Sequence, residues 1–137
     1  MRLEASDLAP AIVQVQNSLE FAQSSLAEDP RLYEQFRSAG IQGFEFTYEI
    51  SIKLLRRALE AFHSESAVEA MSYNELIRAG VEAQLIREAS PWFRFRELRN
   101  RTSHTYNSVT ADQVFSVIPA FLNEIEHFHA KVAARNA

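Results

Sequence analysis

Cysteine is absent from this 137-residue chain. That excludes disulfides, thiolate metal sites and cysteine nucleophiles. Glycine and proline are scarce, at three and four residues. Sandwiches and barrels need many turns, so the scarcity favours a few long helices. No run approaches the roughly 20 apolar residues of a membrane span. The opening MRLEASDLAP lacks the apolar centre of a secretion signal, so a soluble cytoplasmic protein is expected. There is no overall basic excess either: the formal charge is −4, which argues against a general nucleic-acid coat.

What is present is apolar mass, 47% of the residues, enough for a single domain over residues 1–137 with one core. Charge is unevenly spread. Residues 87–104 hold Arg87, Arg94, Arg96, Arg99 and Arg101 against Glu88 and Glu97, a local +3 that leaves −7 for the rest. An anionic ligand is therefore expected at that stretch.

Apolar periodicity predicts the helices. Leu8, Ile12, Val15, Leu19, Ala22 and Leu26 recur at steps of three and four, a first helix over about 6–27. Ser6 or Asp7 can cap it, with Pro10 in the first turn. Asp29-Pro30 breaks and restarts the chain. The next stretch, FEFTYEISI (44–52), alternates apolar and polar like a strand. However, Ile41, Phe44, Tyr48, Ile52, Leu55, Leu59 and Phe62 keep a helical rhythm into KLLRRALEAF, so a helix over 31–62 is the better reading. Phe46, Ile50 and Leu54 make a second apolar stripe, as expected of a central or subunit-interface helix. Gly40 and Gly43 predict close approach of a neighbour or a bend.

Ser72-Tyr-Asn-Glu75 has capping-box spacing before a short helix of about 73–80. Ser90-Pro91 is expected to open a helix over 91–105, and Thr110-Ala-Asp-Gln113 a last helix over 111–134, kinked at Pro119. The expected fold is all-α, an up-and-down four-helix bundle with one additional short helix.

The candidate site is RNRTSHTYN, residues 99–107. On a helical wheel Phe95, Leu98 and Thr102 share the core side. Arg99, Ser103, Arg96, Asn100 and His104 then fill a polar sector roughly 140° wide. Tyr106 returns near Arg99 if the helix continues that far. Trp92, Phe93 and Phe95 would anchor the helix rigidly. Arginine grips phosphate oxygens in forked geometry, and histidine moves protons near neutral pH. Together they suit cleavage of an RNA phosphodiester, with the 2′-hydroxyl as internal nucleophile and no metal or other cofactor required. One helix supplies one histidine, so two-fold dimerisation would provide both an acid and a base. The bland alternative is a solvated helix end, where arginine and histidine meet the negative end of the dipole. For Tyr106 it is a buried ring with its hydroxyl at the rim. Glu124-x-x-His127 and Glu126-x-x-His129 overlap on one helix and read as a polar face rather than a metal site.

Arg99-x4-His104-x-Tyr106 resembles the signature of the HEPN superfamily. GFEFTYEISIKLLRRAL, ELIRAGVEAQLI, RNRTSHTYN and VIPAFLNEIEHF resemble, in order, its HepT-like branch of nucleotidyltransferase substrate-binding proteins, over roughly residues 5–130. The resemblance implies a homodimeric bundle with the motif helices facing each other. It also implies a minimal nucleotidyltransferase partner that acts as antitoxin to a metal-independent endoribonuclease toxin and can adenylylate the motif tyrosine. Carried over, Arg99 and His104 are catalytic, Asn100 supports the site beside Ser103, and Tyr106 is the modification target. Contact of Arg96 and Arg101 with RNA is expected from charge alone. A rival expectation is a non-catalytic subunit that presents a substrate to the nucleotidyltransferase.

Overall fold

Asp29-Pro30 behaves as its chemistry dictates. In the computed structural model, which describes residues 4–135, the Asp29 carboxylate accepts from the Arg31 N–H at 2.9 Å, and Pro30 opens a 30-residue helix. This helix, α2 (Pro30–Leu59), runs without interruption through FEFTYEISI, so the strand-like alternation is the two-sided patterning of a central helix. Helix α1 (Ala5–Ala22) packs along it, joined by a single 3₁₀ turn at Ser25–Glu28. Gly40 and Gly43 mark close approach. A Cβ on Gly43 would lie 2.8 Å from Val15 Cγ2 of α1, and one on Gly40 would lie 2.7 Å from Phe115 Cε1.

The remaining helices are α3 (Glu65–Glu69), α4 (Tyr73–Glu82), α5 (Ala89–Arg101), α6 (Ser108–Ser116) and α7 (Ile118–Arg135). The long members α1, α2, α5 and the α6–α7 pair form the expected all-α bundle; two short helices, α3 and α4, lie in the connection where one was expected. Ser64 caps α3 by accepting from Ala67 N–H. The Ser72–Glu75 capping box opens α4, with both reciprocal bonds formed.

Several boundaries fall elsewhere than the residue signals indicate. Helix α1 begins one residue earlier: Glu4 is its N-cap, and Asp7 reaches back to accept from the Glu4 N–H. Pro10 therefore sits in the second turn. Helix α5 starts at Ala89, ahead of Ser90-Pro91. Pro119 does more than kink the last helix. One helix ends at Ser116 and another starts at Ile118, which leaves Pro119 in a first turn where its missing N–H costs little.

The core centres on interlocked rings. Trp92 and Phe95 of α5 meet edge to face at 5.7 Å between centroids; Phe95 meets Phe121 at 5.2 Å, Phe121 meets Phe44 at 4.7 Å, and Trp92 meets Phe128 at 5.7 Å. Each such pair adds about 0.5–1.5 kcal/mol beyond the area it buries. Ile50 and Leu54 of the second stripe of α2 are buried, but Phe46 stays 57% exposed. Phe62, read as part of the main seam, lies past the end of α2, exposed under the Arg135 guanidinium at 4.2 Å.

Candidate functional site

The half of α5 that carries the motif is held from beneath. Trp92, Phe95 and Leu98 are buried, and Thr102 continues that face, as the wheel predicts. The α-helix stops at Arg101. Thr102–His104 form a 3₁₀ turn, and Thr105-Tyr106 turn out of it. In a 3₁₀ turn residues three apart eclipse, so His104 follows Arg101 rather than continuing the α-helical register from Arg99. Local hydroxyls stabilise the tightening: Thr102 Oγ1 donates to the Arg99 carbonyl at 2.8 Å, and Thr105 Oγ1 to the Thr102 carbonyl at 3.0 Å.

The next helix also begins earlier than Thr110 suggests. Asn107 is its N-cap, its side-chain oxygen accepting from Val109 N–H at 2.9 Å and Thr110 N–H at 3.3 Å. Asparagine caps at least as well as threonine, and it comes first in the chain. Tyr106 is thereby stranded between a 3₁₀ turn and a capped helix, 87% exposed, its ring meeting the His104 ring edge to face at 6.1 Å between centroids. It stands beside His104, not back over Arg99, because the helix does not persist. The buried-aromatic reading of Tyr106 is thus overturned.

Arg99 is half-buried and engaged. Its Nε donates to Glu49 Oε1 at 3.2 Å, Nη2 donates to the same oxygen, and Nη1 donates to Thr102 Oγ1 at 3.3 Å. Glu45, one turn earlier on α2, lies 3.9 Å away. The hydrogen bond that Arg99 donates to Glu49 raises the pKa of its guanidinium, which is a permanent cation in any case. Neither glutamate stands out in the sequence, where both look like ordinary polar positions of α2. The only local hint is two like charges at i and i+4, which repel unless something neutralises them.

Asn100, Ser103 and His104 are exposed at the surface of α5 and its 3₁₀ extension. Arg96 is drawn aside, its guanidinium 4.6 Å above the Tyr73 ring. Tyr73 in turn donates to the Trp92 carbonyl at 2.9 Å, and burial pushes both its phenol and that of Tyr48 up. Arg101 is exposed, and among the described residues neither it nor Arg96 makes an ion pair. The basic stretch is therefore much less basic in space than in sequence. Arg87 pairs with Glu124 at 3.0 Å, Arg94 with Glu97 at 3.4 Å, and Arg99 with Glu49 and Glu45. Glu124, spent on Arg87, reads as a polar-face residue.

A second network ties the far side of the motif to α2. Arg37, almost fully buried, donates through Nη1 to Asp112 at 2.9 Å and to Ser108 Oγ at 3.3 Å. Tyr33 donates to the same Asp112 oxygen at 3.3 Å. These contacts fix the first turn of α6, and so the point where the chain re-enters after Tyr106. Spacing alone could not reveal this pairing, since its partners lie more than 70 residues apart.

Among the described residues no group of three or more histidine, aspartate or glutamate side chains is placed to hold a metal ion, and no helix is long and apolar enough to cross a membrane.

Residues 3–134 match the family model described as nucleotidyltransferase substrate binding protein like. The chain is 31% identical over 132 residues to a Haemophilus influenzae protein named "Probable ribonuclease HepT", an alignment covering 94% of this chain and 86% of that one. A solved Haemophilus influenzae structure, described as the fold of a substrate binding domain of a nucleotidyltransferase, superposes with a TM-score of 0.87 at 26% identity, covering 95% of this chain and 99% of that one. With its Arg99-x4-His104-x-Tyr106 motif intact in a helical bundle, the chain belongs to the nucleotidyltransferase substrate-binding protein family, in the HepT-like branch of HEPN proteins.

Proposed function

We propose that this protein is a metal-independent endoribonuclease toxin of a HEPN/nucleotidyltransferase pair, acting as a homodimer. The observation that carries the reading is the surface placement of the complete motif, with an arginine anchored at the end of α5 and an imidazole and a phenol presented side by side just beyond it. The name of the Haemophilus relative supports it. So does Phe46, an exposed aromatic on α2 between Glu45 and Glu49, which a second copy would cover.

The chemistry follows from the residue types. The 2′-oxygen of a ribose bonds to the adjacent phosphorus while its proton passes to one imidazole. Arg99 offsets the charge that builds on the equatorial oxygens. The bond from phosphorus to the 5′-oxygen breaks, and that oxygen takes a proton from the imidazole of the second copy. The products are a 2′,3′-cyclic phosphate and a 5′-hydroxyl. Asn100 and Ser103 line the exposed face between Arg99 and His104 as hydrogen-bonding support, and Arg101 adds a free positive charge for the RNA backbone. Arg96 reaches RNA only by leaving the Tyr73 ring.

The nucleotidyltransferase partner controls the toxin through Tyr106. An attacking phenol must be reachable by a second active site, and an 87% exposed hydroxyl-bearing ring next to His104 is. The phenol oxygen bonds to the α-phosphorus of ATP, pyrophosphate leaves, and the phenolic proton goes to a base of the partner. An adenylyl group there places a bulky phosphodiester against the imidazole.

The test is expression of the chain alone and with such a nucleotidyltransferase. Growth should stop with the wild-type chain, continue with His104→Ala, and recover on co-expression, with a mass gain of one adenylyl group on Tyr106. Full growth with the wild-type chain alone, together with a stable complex with the nucleotidyltransferase, would favour a non-catalytic substrate-presenting subunit instead.

A further inference from the structure

The fold surrounds the arginine that should meet phosphate with carboxylates. Glu49 accepts from both Nε and Nη2 of Arg99, which is one whole edge of the guanidinium, and Glu45 stands 3.9 Å from the same Nη2. The Nε/Nη2 edge is one of the two that can grip a phosphate in forked geometry. The other, between Nη1 and Nη2, is narrowed by Thr102 on one nitrogen and Glu45 near the other. Two carboxylates thus stand against this one guanidinium, which makes it a poor first contact for a polyanion. The Glu49 carboxylate is also held in place by its helix, so it competes at high effective concentration with any phosphate in solution.

We infer that Glu49 is a latch on Arg99: in the free chain it occupies the guanidinium edge that an RNA phosphate takes on binding, so each binding event must first displace it. The inference rests on the reading of Arg99 as a phosphate-gripping residue. Its geometry permits release. Glu49 and Arg99 are both partly exposed, with side-chain exposures of 47% and 31%, so the carboxylate can swing into water without leaving a buried charge behind. Arg99 keeps its hold on Thr102 while this happens. The latch makes a single phosphate a weak ligand. It favours a strand whose neighbouring phosphates reach Arg101 at the same time, since the added contacts offset the loss of the Glu49 pair.

The experiment measures binding of a labelled ten-nucleotide single-stranded RNA to the full chain by fluorescence anisotropy, every 2′-hydroxyl of the probe being methylated so that it has no internal nucleophile and stays uncut, in EDTA and at low salt, where screening is least. The variants are Glu49→Gln, Glu49→Ala, Arg99→Ala and Glu49→Gln combined with Arg99→Ala, each checked for an unchanged melting curve. Arg99→Ala should weaken binding. Both Glu49 variants should tighten it by about two- to fivefold, the scale of a partly exposed ion pair. That gain should vanish in the double variant, which has no cation to release. If Arg99→Ala weakens binding but the Glu49 variants leave it equal or weaker, the latch is refuted and Glu49 merely orients the arginine. A gain from Glu49→Gln that persists without Arg99 refutes it too, since the effect would then be one of general charge. Unchanged binding in Arg99→Ala overturns the underlying reading of the site itself.

Discussion

The two halves of α5 are built on opposite principles. The first half, around Trp92 and Phe95, is locked on its core face by the α7 rings Phe121 and Phe128, with Phe44 of α2 behind Phe121. The second half, from Arg99 onward, is held by a few polar contacts at its edges and is largely exposed beyond Thr102. Rigidity at one end allows polar side chains to be presented to solvent at the other. A helix pinned by five interlocking rings can leave its C-terminal turn to tighten into a 3₁₀ turn and project an imidazole and a phenol into solvent. Burial is concentrated in one place, and the motif side chains stand exposed in another.

That division can be broken from the apolar side first. Trp92→Ala removes a fully buried indole that touches both Phe95 and Phe128. It should cost about 3–5 kcal/mol of stability, read as the urea unfolding midpoint. A loss under about 1 kcal/mol would mean that the ring cluster does not hold the helix.

The next effect lies on the far side of the motif. Arg37→Met keeps the apolar stem but deletes the bonds to Asp112 and Ser108. Asp112 is more than half exposed and can turn to water, so the expected loss is about 1–3 kcal/mol, below that of a fully buried pair. Hydrogen exchange should rise first in the opening turn of α6, around Ser108–Asp112. Faster exchange confined to α1 would contradict the assigned role.

The smallest structural effect should come from the chemistry itself. His104→Ala alters an exposed side chain whose only described ring contact is Tyr106. Stability should stay within about 0.5 kcal/mol of the wild type, measured by the same unfolding curve.

The same contrast explains what the sequence discloses. Residues 92, 95, 98 and 102 follow the 3.6-residue period, and the core face of α5 could be read from them directly. The identity of α2 as a helix was legible for the same reason, through the rhythm from Ile41 to Leu59. The motif residues were legible as residue types. Their arrangement was not, because periodicity cannot show where a helix tightens or which of two capping residues three positions apart wins. Asn107 rather than Thr110 starts α6, and that choice moves Tyr106 from Arg99 to His104. The partners of Arg99 were hidden for a different reason. Glu45 and Glu49 lie about 50 residues upstream, in a stretch whose polar positions look like ordinary surface. Long-range ion pairs leave no local period, so a basic stretch in sequence became a largely neutralised one in space.

The most direct test of catalysis by Arg99 and His104 is RNA cleavage by the purified 137-residue chain in excess EDTA, comparing wild type with Arg99→Ala and His104→Ala proteins of matched stability. The wild type should give fragments ending in 2′,3′-cyclic phosphate, and either variant should cleave at least a hundredfold more slowly, the scale of losing one acid–base or charge-stabilising group. Equal cleavage by all three proteins would contradict catalysis by these two residues.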